Sequence, residues 1–172
     1  MSNRLPIEVN PFRLIEQRRI LKGMVALQAM PRVREQVLSV KDDFVVTLEF
    51  THSASQLPMI KCYVEGEVEL ECQRCLEPIT WVVNTESEVV LTTSDTDRQP
   101  EDEGYEVYIV EDEHLPLLAF VEDEVLLALP TVPRHEDCAP FKPLREAEVP
   151  TPSGQEDKPN PFAVLKDWKK LE

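Results

Sequence analysis

Residues 62–78 read Cys62-Tyr63-Val64-Glu65-Gly66-Glu67-Val68-Glu69-Leu70-Glu71-Cys72-Gln73-Arg74-Cys75-Leu76-Glu77-Pro78, and the spacing of their apolar positions sets the architecture. Cys62, Val64, Gly66, Val68, Leu70 and Cys72 alternate with Tyr63, Glu65, Glu67, Glu69 and Glu71. A period of two sustained this long predicts a strand with one buried face and one acidic, solvated face. Beyond the cysteine pair, Ile79, Trp81 and Val83 alternate with Thr80, Val82 and Asn84, and a β-rich run continues through Val89, Val90 and Leu91. Residues 71–78 are therefore read as the turn of a long hairpin, with Cys72 and Cys75 at its tip.

Outward from the hairpin, Phe44, Val46, Leu48 and Phe50 share one face of a further strand, and residues 105–109 alternate in the same way. Together these segments predict an α+β protein: a mostly antiparallel twisted sheet or partly closed barrel with a long CxxC hairpin, a few peripheral helices and a flexible C-terminal tail. On the N-terminal side the chain reads as a short strand over 5–9 and a helix capped by Asn10 with Pro11 at its first position. A strand around 21–27 follows, and Pro31 opens a second short helix to Val37. Residues 92–104 are acidic, without periodicity, and read as a loop. Over 115–129, Pro116 stands near a helix start, and Leu118, Val121, Val125 and Leu129 form an apolar stripe that Pro130 and Pro133 bring to an end. Within that helix Glu122, Asp123 and Glu124 point in different directions because they are consecutive. They are read as a solvated face or as a contact with the basic N-terminal segment.

Length allows one well-buried core, placed in a single domain over 1–138 with a basic segment, 1–41, and an acidic sheet and helix, 42–138. A Pro-rich acidic linker over 139–159 leads to a short helix over 160–172, where Asn160 and Pro161 favour a helix start. Phe162, Leu165 and Trp168 are its candidate partner-docking residues, available for folding back on the domain or for seating in a partner.

The net charge is −15, which argues against wrapping nucleic acid with the whole surface. The distribution is uneven, however. Residues 1–41 carry eight Lys or Arg against three Glu, whereas residues 42–150 carry six basic side chains against 26 acidic ones. Arg13, Arg18, Arg19 and Lys22 are accordingly the candidate nucleic-acid-binding residues. No apolar run approaches the roughly 20 residues of a membrane helix, and Met-Ser-Asn-Arg-Leu-Pro lacks the apolar region of a signal peptide. The expected location is the cytoplasm, with no membrane partner.

A reducing compartment makes four unevenly spaced cysteines poor disulfide partners and better metal ligands or core residues. Arg134-His135-Glu136-Asp137-Cys138 repeats the two-residue separation of the hairpin tip, so Cys72, Cys75, His135 and Cys138 form a candidate three-cysteine, one-histidine set for a structural Zn2+. The 59 residues between the two pairs exceed the spacing of a compact finger. An unmetallated turn stands as the alternative, and so does redox work, although redox pairs favour a helix start where the dipole lowers a thiol pKa. Cys62 is assigned to the core. No phosphate-binding glycine loop, nucleophile elbow or His-Glu-x-x-His occurs, His52 and His114 stand alone, and no small-molecule substrate is indicated.

Leu70-Glu71-Cys72-Gln73-Arg74-Cys75 after a long strand, Val121-Glu122-Asp123-Glu124-Val125-Leu126-Leu127-Ala128-Leu129-Pro130, Pro133-Arg134-His135 and Asn160-Pro161-Phe162-Ala163-Val164-Leu165 resemble, in order and spacing, the YceD family. These are the large ribosomal RNA subunit accumulation proteins of bacteria and plastids. The resemblance implies a cytoplasmic, non-catalytic protein that supports accumulation of 23S ribosomal RNA and biogenesis of the large subunit. Its implied partners are large-subunit ribosomal RNA precursor, ribosomal proteins or assembly proteins. Some family members carry several more cysteines in the region corresponding to 135–158, where this chain offers only His135 and Cys138. From a different class, the alternative is an RNA-processing or thiol redox enzyme.

Overall fold

The computed structural model describes residues 4–93 and 104–142. In chain order the elements are β1 (Glu8–Val9), α1 (Pro11–Glu16), β2 (Ile20–Val25), a 3-10 turn at Leu27–Ala29, α2 (Pro31–Gln36), β3 (Ser39–Val40), β4 (Phe44–His52), β5 (Pro58–Glu71), β6 (Pro78–Thr92), β7 (Glu106–Ile109), β8 (Leu115–Pro116) and α3 (Leu117–Ala128). The class is α+β. Among the described residues the main sheet runs β2-β4-β5-β6-β7, with β3 beside β5, and a separate two-stranded ladder joins β1 to β8. Strand β2 and strand β7 stand at opposite ends of the order, so the sheet is open and does not close into a barrel.

The pairing is antiparallel except between β6 and β7. A parallel neighbour needs a connection of about a dozen residues or more, and 13 residues separate Thr92 from Glu106 in the sequence. Register in the β5–β6 ladder runs from Met59 opposite Val90 to Glu71 opposite Pro78. Strand β4 covers the first half of β5, and β3 covers its far end with Ser39 opposite Glu69. The distal hairpin therefore projects past the rest of the sheet, and its tip is built by the Cys72–Glu77 connection.

Alternation along β4 and β5 decides what is buried. Phe44, Val46, Leu48, Phe50, Cys62, Val64, Val68 and Leu70 join the core, where Ile15 of α1, Val33 of α2, and Leu117, Phe120, Val121 and Val125 of α3 pack on the same face. The opposite face carries Glu65 and Glu69, both exposed, with Lys41 beside Glu67 at 3.3 Å and Lys61 paired with Glu88. Gly66 occupies an inner position of β5 because Phe44 lies over it: an added Cβ would sit 2.8 Å from Phe44 Cε1. A strand glycine of this kind marks a close approach rather than a turn.

Several boundaries differ from the sequence reading. The first strand is limited to Glu8–Val9 because its partner among the described residues, Leu115–Pro116, is equally short. The third helix starts at Leu117, since Leu115 and Pro116 are taken into that ladder. Asn10 does cap α1, accepting the Arg13 N–H at 3.0 Å.

The acidic triplet of α3 is not a solvated face. Glu122 and Glu124 are 4% and 6% exposed, because α3 is covered by the sheet on one side and by α2 on another. Glu122 accepts the backbone N–H groups of Arg32 and Val33 at 2.6 and 3.2 Å and the Arg32 Nε at 3.0 Å. It thereby satisfies the start of α2, which has no side-chain cap of its own. Asp123 meets Arg32 Nη1 at 2.5 Å, so contact with the basic segment accounts for two of the three acids. Glu124 gains no such partner. Burial raises its carboxyl pKa, Ser87 works in the other direction, and the charges of Glu106 and Asp123 add to the rise.

Candidate metal centre

Two tight local structures meet at the hairpin tip. The first is the turn after β5, where Leu76 N–H donates to Cys72 O at 2.9 Å and Cys72 N–H donates to Glu77 O at 3.0 Å. Leu76 adopts a positive φ of 65°, which lets the chain reverse within few residues and turns both Cys72 and Cys75 to the same side. The second is the irregular segment after α3. Trp81 Nε1 donates to Ala128 O, at the end of α3, across 3.3 Å, so the helix runs toward the tip and delivers the following prolines there. Gln73 N–H then donates to Pro133 O at 2.9 Å, and Phe141 N–H to Arg74 O at 2.8 Å.

These contacts bring Cys72, Cys75, His135 and Cys138 together, with one ligand atom of each lying within 4.8 Å of all the others. Cys72 Sγ is 3.7 Å from Cys138 Sγ, and Cys75 Sγ is 3.4 Å from His135 Nδ1. With Zn–S near 2.3 Å and Zn–N near 2.0–2.1 Å, a tetrahedron sets sulfurs about 3.8 Å apart and sulfur and nitrogen about 3.6 Å apart. The observed spacings fit those edges. His135 adds a further feature of a ligand: its Nε2 lies 3.2 Å from Pro78 O. With Nε2 donating to that carbonyl, Nδ1 is left unprotonated and directed at the sulfurs, the usual outer support of a metal-bound imidazole.

Electrostatics favour the thiolate at Cys72. Burial of Cys72 opposes ionisation and is the largest single influence, yet backbone N–H groups of Cys75, His135 and Arg74 outweigh it and hold the thiol down at about 5. Cys75 is shifted upward: the Glu77 N–H works against that rise, while burial and the neighbouring Cys72 and Cys138 sulfurs drive it. Arg74 Nε donates to Cys138 Sγ at 2.9 Å, and its Nη2 donates to His135 O at 3.0 Å and Glu136 O at 3.3 Å. All four cysteines are free thiols. Cys62 lies apart from the cluster, fully buried, and burial followed by the Glu124 charge pushes its thiol up to about 12.

The family comparison covers this whole arrangement. The sequence model of the family described as Large ribosomal RNA subunit accumulation protein YceD matches residues 60–169. The chain belongs to the YceD family. A relative from Haemophilus influenzae (strain ATCC 51907 / DSM 11121 / KW20 / Rd), the Large ribosomal RNA subunit accumulation protein YceD, is 36% identical over 171 residues, spanning 96% of this chain and 97% of that protein. No solved structure matches. In this chain the open α+β sheet described above places the CxxC motif beside the His-x-x-Cys segment.

Arg74 is the residue that the sequence reading passed over. Its only signal was position, as the basic residue inside the CxxC motif. The candidate RNA residues are placed separately from the cluster. Arg13 is exposed on α1, Arg18 and Arg19 are exposed in the turn that leads to β2, and Lys22 is exposed on the outer face of β2 opposite Thr47. Among the described residues none of the four is paired with a carboxylate. Phe162, Leu165 and Trp168, with most of the linker, the tail and most of the acidic loop, lie outside the described residues.

Proposed function

We propose that this chain is a non-catalytic factor supporting accumulation of 23S ribosomal RNA and biogenesis of the large ribosomal subunit in the cytoplasm, through binding of RNA, assembly proteins or both. The observation that carries this reading is the full-length similarity to the Haemophilus influenzae protein, which is named for large ribosomal RNA subunit accumulation. Cys72, Cys75, His135 and Cys138 hold a structural Zn2+ in this reading. The ion would supply charge neutralisation and a cross-link between the hairpin tip and the segment after α3, with no position left open for a reacting water. Domain 1–138 is the binding body, and the linker with the 160–172 helix is an appendage whose Phe162, Leu165 and Trp168 dock into a protein partner.

A non-catalytic role is supported by what surrounds the reactive groups. The cysteine pair lies at a strand–strand turn without a helix dipole, and Cys72 is fully buried. A cleft of about 790 Å3 is bordered by Leu5, Ile7, Met24, Val25 and Leu118 together with Arg4 and Asp43, and among the described residues no Ser, Cys or His lines it. RNA contact is assigned to Arg13, Arg18, Arg19 and Lys22. Binding of large-subunit ribosomal RNA fragments as a function of salt tests that assignment. The slope of log K against log salt is expected to fall by about 0.7–0.9 for each phosphate contact removed by an Arg→Ala change. Binding that is absent, or unaltered in the Arg13, Arg18 and Arg19 variants, would refute the RNA half. Capture of the full chain from cells with identification of bound RNA and protein tests the remainder.

A further inference from the structure

The two halves of the cluster come from chain segments that share no secondary structure, and one side chain spans them. Arg74 sits between Cys72 and Cys75. Its guanidinium reaches the sulfur of Cys138 at 2.9 Å, the carbonyl of His135 at 3.0 Å and the carbonyl of Glu136 at 3.3 Å. Its own carbonyl accepts the Phe141 N–H at 2.8 Å. A single residue of the first ligand pair thus grips the segment that carries the second.

Charge makes the same residue necessary. Three thiolates and a neutral imidazole around a divalent cation leave one negative charge in excess. The half-buried Arg74 guanidinium, directed at the Cys138 sulfur, brings the total to zero. Lysine would not replace it: an ammonium is a point donor, whereas the planar guanidinium presents several N–H groups in a fixed fork that fits a sulfur and two carbonyls at once.

We propose that Arg74 is the positioning and charge-compensating residue of the metal centre, holding His135 and Cys138 in place for the ion and quenching the nucleophilicity of the Cys138 thiolate. This inference rests on the structural-metal reading above. It also gives the CxxC motif of this chain an interior requirement, a guanidinium at its second intervening position. Loss of a supporting residue of this kind lowers metal affinity by about 10- to 100-fold.

The test uses the full chain and Zn2+ itself. Zinc affinity is measured by competition with a chromophoric chelator for wild type, Arg74→Gln, Arg74→Lys and Cys72→Ser. In the zinc-loaded proteins, the rate of Cys138 alkylation by iodoacetamide is followed by peptide mass spectrometry. Arg74→Gln is expected to weaken zinc binding by about 10- to 100-fold and to speed alkylation of Cys138. Arg74→Lys, which keeps the charge and loses the fork, falls between the two and carries the test if the glutamine variant fails to fold. Wild type that binds zinc while Arg74→Gln binds it equally well, or protects Cys138 equally well, overturns the role of Arg74 alone. Wild type that binds zinc no better than Cys72→Ser overturns the metal reading and this inference with it.

Discussion

Cys72 Sγ and Cys138 Sγ lie 3.7 Å apart although 66 positions separate them in the chain. That is the edge length of a tetrahedral thiolate site rather than the length of a disulfide. A metal held there binds only the folded chain, so its removal has a thermodynamic signature. With free zinc about 100 times the dissociation constant, binding stabilises the fold by about 2.7 kcal/mol, or about 5–10 °C in melting temperature for a chain of this size. Chelator is expected to lower the midpoint of wild type by that order and to leave Cys138→Ser unchanged. Scanning calorimetry alongside metal analysis of the same samples checks it.

The metal-free protein has its own pH dependence at this site. Cys72 titrates at about 5 instead of the usual 9.0, with burial resisting ionisation and three backbone N–H groups overcoming that resistance. A folded pKa below the unfolded one stabilises the fold above the unfolded value and loses that contribution as pH falls toward the folded value. The melting temperature of metal-free wild type should therefore drop from pH 9 to pH 5 more steeply than that of Cys72→Ser. Absorbance of a thiolate near 240 nm at pH 6, present in wild type and missing in Cys72→Ser, is the direct reading.

Glu122 and Glu124, two residues apart on α3, should respond in opposite ways to neutralisation. Removing the Glu122 carboxylate leaves the Arg32 and Val33 N–H groups without their acceptor, and Glu122→Ala is expected to destabilise by about 1–3 kcal/mol in urea unfolding. The Glu124 carboxyl is raised above its usual 4.5, by burial first. Its folded pKa exceeds the unfolded one, so the stability it contributes is full below about pH 4.5 and declines as pH rises through the folded value. Glu124→Gln should stabilise the protein at pH 7 and flatten its stability profile just above pH 4.5. Destabilisation at pH 7 would show that the charge is wanted there.

Gly66 and Phe44 form a matched pair across the inner face of β5. A methyl at Gly66 would strike the Phe44 ring, and Gly66→Ala is expected to cost about 1–3 kcal/mol through overpacking. Shortening the ring should relieve that clash: Gly66→Ala combined with Phe44→Leu should be less destabilised than the two single changes added together. A double-mutant cycle by urea denaturation measures the difference.

Alternation along 62–72 was sufficient to predict which side chains of β5 face the core, because a strand has only two faces and one of them here is nearly all glutamate. Asn10 and Pro11 likewise predicted the start of α1, since a cap acts on backbone groups two or three residues away. For the acidic triplet the sequence left two readings open, a solvated face or a contact with the basic segment, and only the fold chose the contact for Glu122 and Asp123. Glu122 reads as a surface residue by composition, and its burial depends on α2, whose uncapped N–H groups come from 90 residues earlier in the chain.

The cysteine cluster divides in the same way. By itself the sequence determined the candidate ligand types, their pairing as Cys-x-x-Cys and His-x-x-Cys, and membership of the YceD family, because these are matters of residue identity and local spacing. Only the tertiary structure decided that the pairs meet, through a long hairpin that projects past its sheet and a helix running along it to the tip. The role of Arg74 belongs wholly to that level. Its neighbours in sequence are Gln73 and Cys75, but the atoms it holds are on His135, Glu136 and Cys138, and no local pattern encodes a contact whose two sides are joined only by folding.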